Sequence, residues 1–153
     1  MCADKNHEKP NFLKSLVTNK CARCRRGSIF TEKNPYSLKN FMKMPDTCPV
    51  CGQQVEVEVG FYYGTGYVSY ALSVAVCVAS LIAWWVFIGL SIYDNRLFWW
   101  LGFNALLLLV LQPLIMRWSR TIWMAFFVRY DKEWYQGPPE GTGRVNATFK
   151  NLV

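Results

Sequence analysis

Apolar residues fall along this chain in two long blocks and one short alternating stretch. From Val68 to Leu90, and again from Leu97 to Met116, no charged side chain interrupts the run. A helix rises about 1.5 Å per residue, so each run covers a hydrocarbon layer of about 30 Å. Both are predicted to be transmembrane helices, over 68–90 and 97–116. A soluble domain within 153 residues has no second layer thick enough to hide two helices that are apolar on every side. Neither run reads as a cleaved signal peptide, because the first begins far down the chain and Met1 is followed by Cys2, Ala3, Asp4 and Lys5.

Outside these blocks the pattern changes. Residues 1–20 are predicted to be a polar leader ending in a short amphipathic segment, with Phe12, Leu13, Leu16 and Val17 at helical spacing. In the region 21–60, Gln54-Val55-Glu56-Val57-Glu58-Val59 alternates with period two and predicts a half-exposed strand, with Arg26 to Thr31 as its candidate partner. Gly60 to Tyr67, rich in aromatics and glycine, joins this region to the first span and matches an interfacial belt. Residues 117–135 are basic and carry Trp118 and Trp123, which predicts an interfacial helix or a continuation of the second span, with Pro113 placed to bend or break such a continuation. Residues 136–153, with Gly137-Pro138-Pro139, read as a loose tail; Asn146-Ala147-Thr148 is a chance glycosylation match if that tail is cytoplasmic.

Charge then gives the spans an orientation. Ten Lys or Arg precede the first span and six follow the second, whereas the Ser91 to Arg96 link has only Arg96, opposed by Asp94. Positive residues near spans stay on the cytoplasmic side, so both termini are expected there. The formal net charge of +7 is accounted for by anionic lipid headgroups. Nucleic acid is the rival partner, through Arg23, Arg25 and Arg26, but the basic residues are divided between two segments rather than gathered in one stripe.

The candidate chemistry lies in four cysteines. Cys21-Ala22-Arg23-Cys24 and Cys48-Pro49-Val50-Cys51 each let a tight turn aim two sulfurs at one ion, and two such turns complete a tetrahedron. Structural zinc is the expected metal; iron is the alternative on the same ligands, and a redox or disulfide pair a third reading. Phe30, Tyr36, Leu38, Phe41, Met42 and Met44 are too few apolar residues for an independent core, so the ion is expected to organise the module. Gly27 and Gly52 follow the pairs where turns need permissive residues. Cys2 and His7 lack ligand spacing, and Cys77 sits in the first span as a small apolar residue.

Catalysis finds no constellation: His7 is the single histidine, and Glu56 and Glu58 are explained by strand alternation. The spans contain no acid or base for ion transport, only Ser69, Ser73, Ser80, Asn104 and Gln112. Asn104 could bond a serine of the first span or a second copy of the chain. The expected fold is mixed, with a small cytoplasmic zinc-ribbon module, a two-helix transmembrane hairpin and an interfacial C-terminal helix.

Cys21-Ala22-Arg23-Cys24-Arg25-Arg26-Gly27 with Phe30, then Cys48-Pro49-Val50-Cys51-Gly52, the Gly60 to Tyr70 approach and two apolar runs together resemble a bacterial membrane-protein family, the domain of unknown function numbered 983. The resemblance runs from Cys21 to Lys132. Asn34-Pro35-Tyr36 and Gly60-Phe61-Tyr62-Tyr63-Gly64 look like its Bacteroidetes-type branch. Members often carry Gly-Asp-Gly-Pro where this chain has Gly64-Thr65-Gly66-Tyr67, without acid or proline. The resemblance implies the architecture and no reaction; some relatives look linked to assembly of respiratory oxidases. The expected function is therefore a non-catalytic adaptor or assembly factor, in contact with lipids and with itself or a larger membrane complex and without a small-molecule substrate. A redox or metal-handling protein using the same cysteines is the alternative.

Overall fold

A computed structural model describes residues 10–37, 39–57, 60–89 and 95–137. Cys2 and His7, the strand end at Glu58 and Val59, residues 91–94 of the expected outer turn, and the tail beyond residue 137 lie outside the described residues.

Three α-helices organise the chain: α1 over Phe12–Val17, α2 over Thr65–Ile88 and α3 over Arg96–Phe127, with a 3₁₀ turn over Phe61–Gly64 leading into α2. The predicted amphipathic segment is α1. Gly89, at φ 81°, ends α2 in a conformation that favours glycine. The long helices pack against each other as a hairpin. Both are long and apolar enough to cross a membrane. Most of their large apolar side chains face outward, including Val78, Ile82 and Phe87 on α2 and Phe103, Leu106 and Leu109 on α3. A water-soluble protein would bury such surface, whereas lipid tails accept it.

One polar contact ties the helices at mid-length. Ser80 Oγ donates to Asn104 Oδ1 at 2.8 Å, and Asn104 Nδ2 donates to Cys77 Sγ at 3.3 Å. The amide singled out in the sequence is thus satisfied within its own hairpin, and Asn104 is buried.

Of the two readings of residues 117–135, an interfacial helix or a continuation of the second span, the structure shows the continuation as far as Phe127. Helix α3 runs unbroken through Pro113 and Met116 to Phe127, a length of about 48 Å at 1.5 Å per residue. Proline removes one rung of the helix ladder. In that same turn the Tyr36 hydroxyl donates to the Val110 carbonyl at 3.2 Å. Beyond it, the charges that would end a span are engaged by protein rather than water. Buried Arg117 donates to the carbonyls of Phe41, Lys33 and Asn34 at 2.8, 3.2 and 3.0 Å, and its guanidinium lies 4.9 Å from the Phe30 ring centre. Trp118 Nε1 donates to Val17 O and Thr121 Oγ1 to Asn19 Oδ1. The C-terminal part of α3 is therefore the post on which residues 10–37 and 39–57 are mounted. On its other side Trp123 Nε1 donates to Phe61 O at 2.7 Å, and the Trp123 ring fills the space over Gly64 that any Cβ would occupy.

The predicted zinc ribbon is revised. Among the described residues there is no regular strand, only isolated antiparallel bridges Lys20 to Ser28 and Thr47 to Gln54. Each bridge closes the hairpin of one cysteine pair on itself, and among the described residues no bridge joins Arg26–Thr31 to residues 54–57. The backbone of Val55 shows why the alternation misleads. Its N–H donates to Asp46 O within its own hairpin, and its carbonyl accepts from the Tyr62 hydroxyl at 2.6 Å, so its backbone is held by the hairpin and by the turn before α2.

Candidate metal centre

The two cysteine hairpins are built alike. In the first, Cys21 N–H donates to Gly27 O, Arg25 N–H to Cys21 O, and Gly27 N–H to Cys24 Sγ. In the second, Cys48 N–H donates to Gln53 O and Gly52 N–H to Cys48 O. The residue after the second cysteine has positive φ in both, Arg25 at 55° and Gly52 at 68°. That left-handed step turns the chain back so that both sulfurs of a pair face one point. Backbone N–H groups directed at sulfur favour the thiolate.

The four cysteines meet. Cys21 and Cys51 Sγ lie 3.8 Å apart, Cys24 and Cys48 Sγ 3.9 Å apart, and all four sulfurs fall within 4.8 Å of one another. A tetrahedral zinc site with Zn–S of about 2.3 Å places its sulfurs about 3.8 Å apart, so the spacing fits a single ion. The sulfurs are too distant for disulfides, whose bond is about 2.0 Å. Cys21, Cys24 and Cys48 are at most 2% exposed and Cys51 9%. Without a cation the set is in conflict. The Cys21 thiol is pushed up by hydrogen bonds with Cys24, Cys48 and Cys51 and by burial, while Cys24 is pulled down to about 6, first by Cys21. A dication stabilises all four thiolates together.

Gly27 and Gly52, both read as turn residues, have different reasons. Gly52 has the positive φ and open space around its Cα. Gly27 does not; there a Cβ would overlap Cys48 Sγ, so the residue sets how closely the hairpins approach. Gly27→Ala is accordingly expected to weaken metal affinity by roughly 10–100-fold, the range seen when the immediate surroundings of ligands are disturbed. Gly52→Ala is expected to cost only about 1 kcal/mol of backbone strain. Competition with a chromophoric chelator ranks the two, and equal affinities would refute the steric reading.

The apolar core that residues 21–60 lack is completed from the other end of the chain. Fully buried Met124 of α3 packs with the cysteines, Ile29 and Phe30, and Val128 and Trp134 close over the same cluster. Arg23, inside the first cysteine pair and 5% exposed, forms an ion pair with Asp131 at 3.0 Å and donates to Cys51 O and Gly137 O. Arg25 stacks on Tyr130 at 4.4 Å and on Phe12 at 5.1 Å. Arg23 and Arg25, which a nucleic-acid surface would use, are thus engaged with other parts of the protein. Sequence reasoning missed Met124 and Arg117 as parts of this assembly. Their only signal was position, just past a span, where basic and aromatic residues are ordinarily explained by the lipid interface.

A family model described as protein of unknown function (DUF983) matches residues 38–127, which takes in the second cysteine pair and both long helices. The matched stretch opens after the first pair and is narrower than the expected Cys21 to Lys132. Neither the curated proteins nor the solved structures yield a match.

Proposed function

The chain belongs to the DUF983 family, and from that premise we propose that it is a non-catalytic integral membrane protein, an adaptor or assembly factor whose structural zinc module offers a docking surface beside the inner face of a bacterial cytoplasmic membrane. In this reading both termini are cytoplasmic, α2 and α3 span the bilayer, and the module rides on the inner end of α3.

The observation that carries the reading is the sealing of the four sulfurs beneath Met124, Phe30 and the Arg23–Asp131 pair. A cysteine that exchanges electrons or hands on metal needs an approach for its partner. Here the sulfurs are covered and the cover is anchored to a membrane helix, which suits an ion that holds shape. The positive-inside distribution of Lys and Arg supports the orientation.

Purification of the full chain from its native membrane tests both halves. The expected preparation is colourless, holds about one zinc per chain as a four-thiolate site does, and carries a membrane-protein partner in fixed ratio. Visible absorption from iron bound to thiolate would replace the structural reading with a one-electron one. Recovery of the chain alone after mild crosslinking in intact membranes would remove the adaptor role.

A further inference from the structure

The helices and the metal module meet along a groove of about 660 Å³ at the inner end of α2 and α3. Its lining carries both signs of charge: Arg120 from α3 and Asp46 and Glu56 from the module, together with Tyr62 and Tyr63.

Arg120 is only partly occupied. Its Nη1 makes long contacts, 3.4 Å to Met42 O and 3.3 Å to Met44 Sδ, and its guanidinium lies 5.0 Å from the Tyr62 ring centre. Among the described residues Nε and Nη2 donate to nothing, which leaves two parallel N–H groups of the fork that matches phosphate. Asp46 and Glu56 are exposed, and among the described residues neither forms an ion pair. The groove opens where the chain enters α2, beside Tyr63 and Tyr67, 90% and 81% exposed. Tyrosines at the mouth of a span mark headgroup depth.

We propose that this groove binds the headgroup of a phospholipid bearing both a phosphate and a primary amine, of the phosphatidylethanolamine class. The phosphate meets the open edge of Arg120, and the ammonium, with three N–H donors, meets Asp46 and Glu56. The acyl chains run down the exposed face of α2 past Tyr67 and Tyr70. A purely anionic headgroup would set its charge against two carboxylates, and a quaternary amine would match the charge but offer no N–H. The assignment rests on α2 and α3 spanning a bilayer and is independent of the adaptor reading.

Native mass spectrometry of the full chain, released from bilayers of equal phosphatidylethanolamine and phosphatidylglycerol, tests it. The expected result is one retained amine lipid per chain, favoured by roughly fivefold, about what one such contact supplies. The Asp46→Asn, Glu56→Gln double variant should lose the preference, and Arg120→Gln should retain less of both lipids. Metal content, measured alongside, shows that the module remains folded. Equal retention of the two lipids by the wild type would overturn the assignment. So would an unchanged preference in the folded double variant, equal retention of phosphatidylcholine, or displacement by an equimolar amount of soluble phosphoethanolamine. Extraction of the chain from membranes by alkaline carbonate would overturn the spanning reading and this assignment with it.

Discussion

Replacing Cys48 with serine is expected to release the metal and unfold residues 20–57 while α2 and α3 remain helical. A serine hydroxyl does not ionise near neutral pH, so the ion would keep three thiolates in a cluster whose fourth ligand sat 3.9 Å from Cys24 Sγ. The loss is large because the rest of the module cannot compensate. Among the described residues its buried apolar side chains are the cysteines themselves with Ile29, Phe30, Val55 and, from α3, Met124. Structural zinc contributes about 10–16 kcal/mol in isolated finger peptides, comparable to the whole stability of a domain at about 5–15 kcal/mol. Metal analysis should fall from one ion per chain to near zero. Limited proteolysis should cut between the two cysteine pairs, and most of the far-ultraviolet helix signal should persist, since the backbone hydrogen bonds of α2 and α3 are made within each helix. A metal-free variant with unchanged protease resistance would show that the apolar contacts suffice.

Arg117→Leu is expected to be the most damaging substitution outside the cysteines. Arg117 is 2% exposed and gives one donor each to the carbonyls of Phe41, Lys33 and Asn34. Hydrogen bonds to a charged group are worth about 1.5–3 kcal/mol each, and leucine would leave all three carbonyls facing an apolar side chain without a donor. Irregular backbone beside a span persists only where protein satisfies it. Loss of the arginine should therefore free the loop from Lys33 to Phe41, at a cost of at least about 3 kcal/mol, less than three full bonds because the freed carbonyls can reach water. Arg117→Lys should recover only part, because an ammonium cannot present the planar fork that reaches three carbonyls together. Hydrogen exchange over Lys33–Phe41 and the thermal midpoint in detergent report the two effects. If lysine restored full protection, the requirement would be for charge alone.

What the sequence made legible was local. The spacing within Cys21–Cys24 and Cys48–Cys51 is enough to aim paired sulfurs, and the structure brings all four together. The two apolar runs likewise became helices, because hydropathy over some twenty residues is a property of the segment itself. What escaped depends on partners far along the chain. Arg117 read as a charge that stops a span, yet α3 passes through it while carbonyls of Lys33, Asn34 and Phe41 accept its donors. Arg23 read as available to nucleic acid until Asp131, more than a hundred residues later, was seen against it. The valine and glutamate alternation after Cys51 satisfied the period of a strand without the neighbour that a strand needs. Gly27 was noticed as a turn glycine, although its requirement is the sulfur of Cys48, which no local pattern could reveal.

The metal core draws on both ends of the described chain, with cysteines before the hairpin and Met124, Val128, Asp131 and Trp134 after it. On a ribosome, the first group emerges before either span and the second only when both have been made. In the proposed topology the cysteine module therefore waits, its cover still unsynthesised, while α2 and α3 enter the bilayer, and the four sulfurs can be enclosed only after both helices have been made.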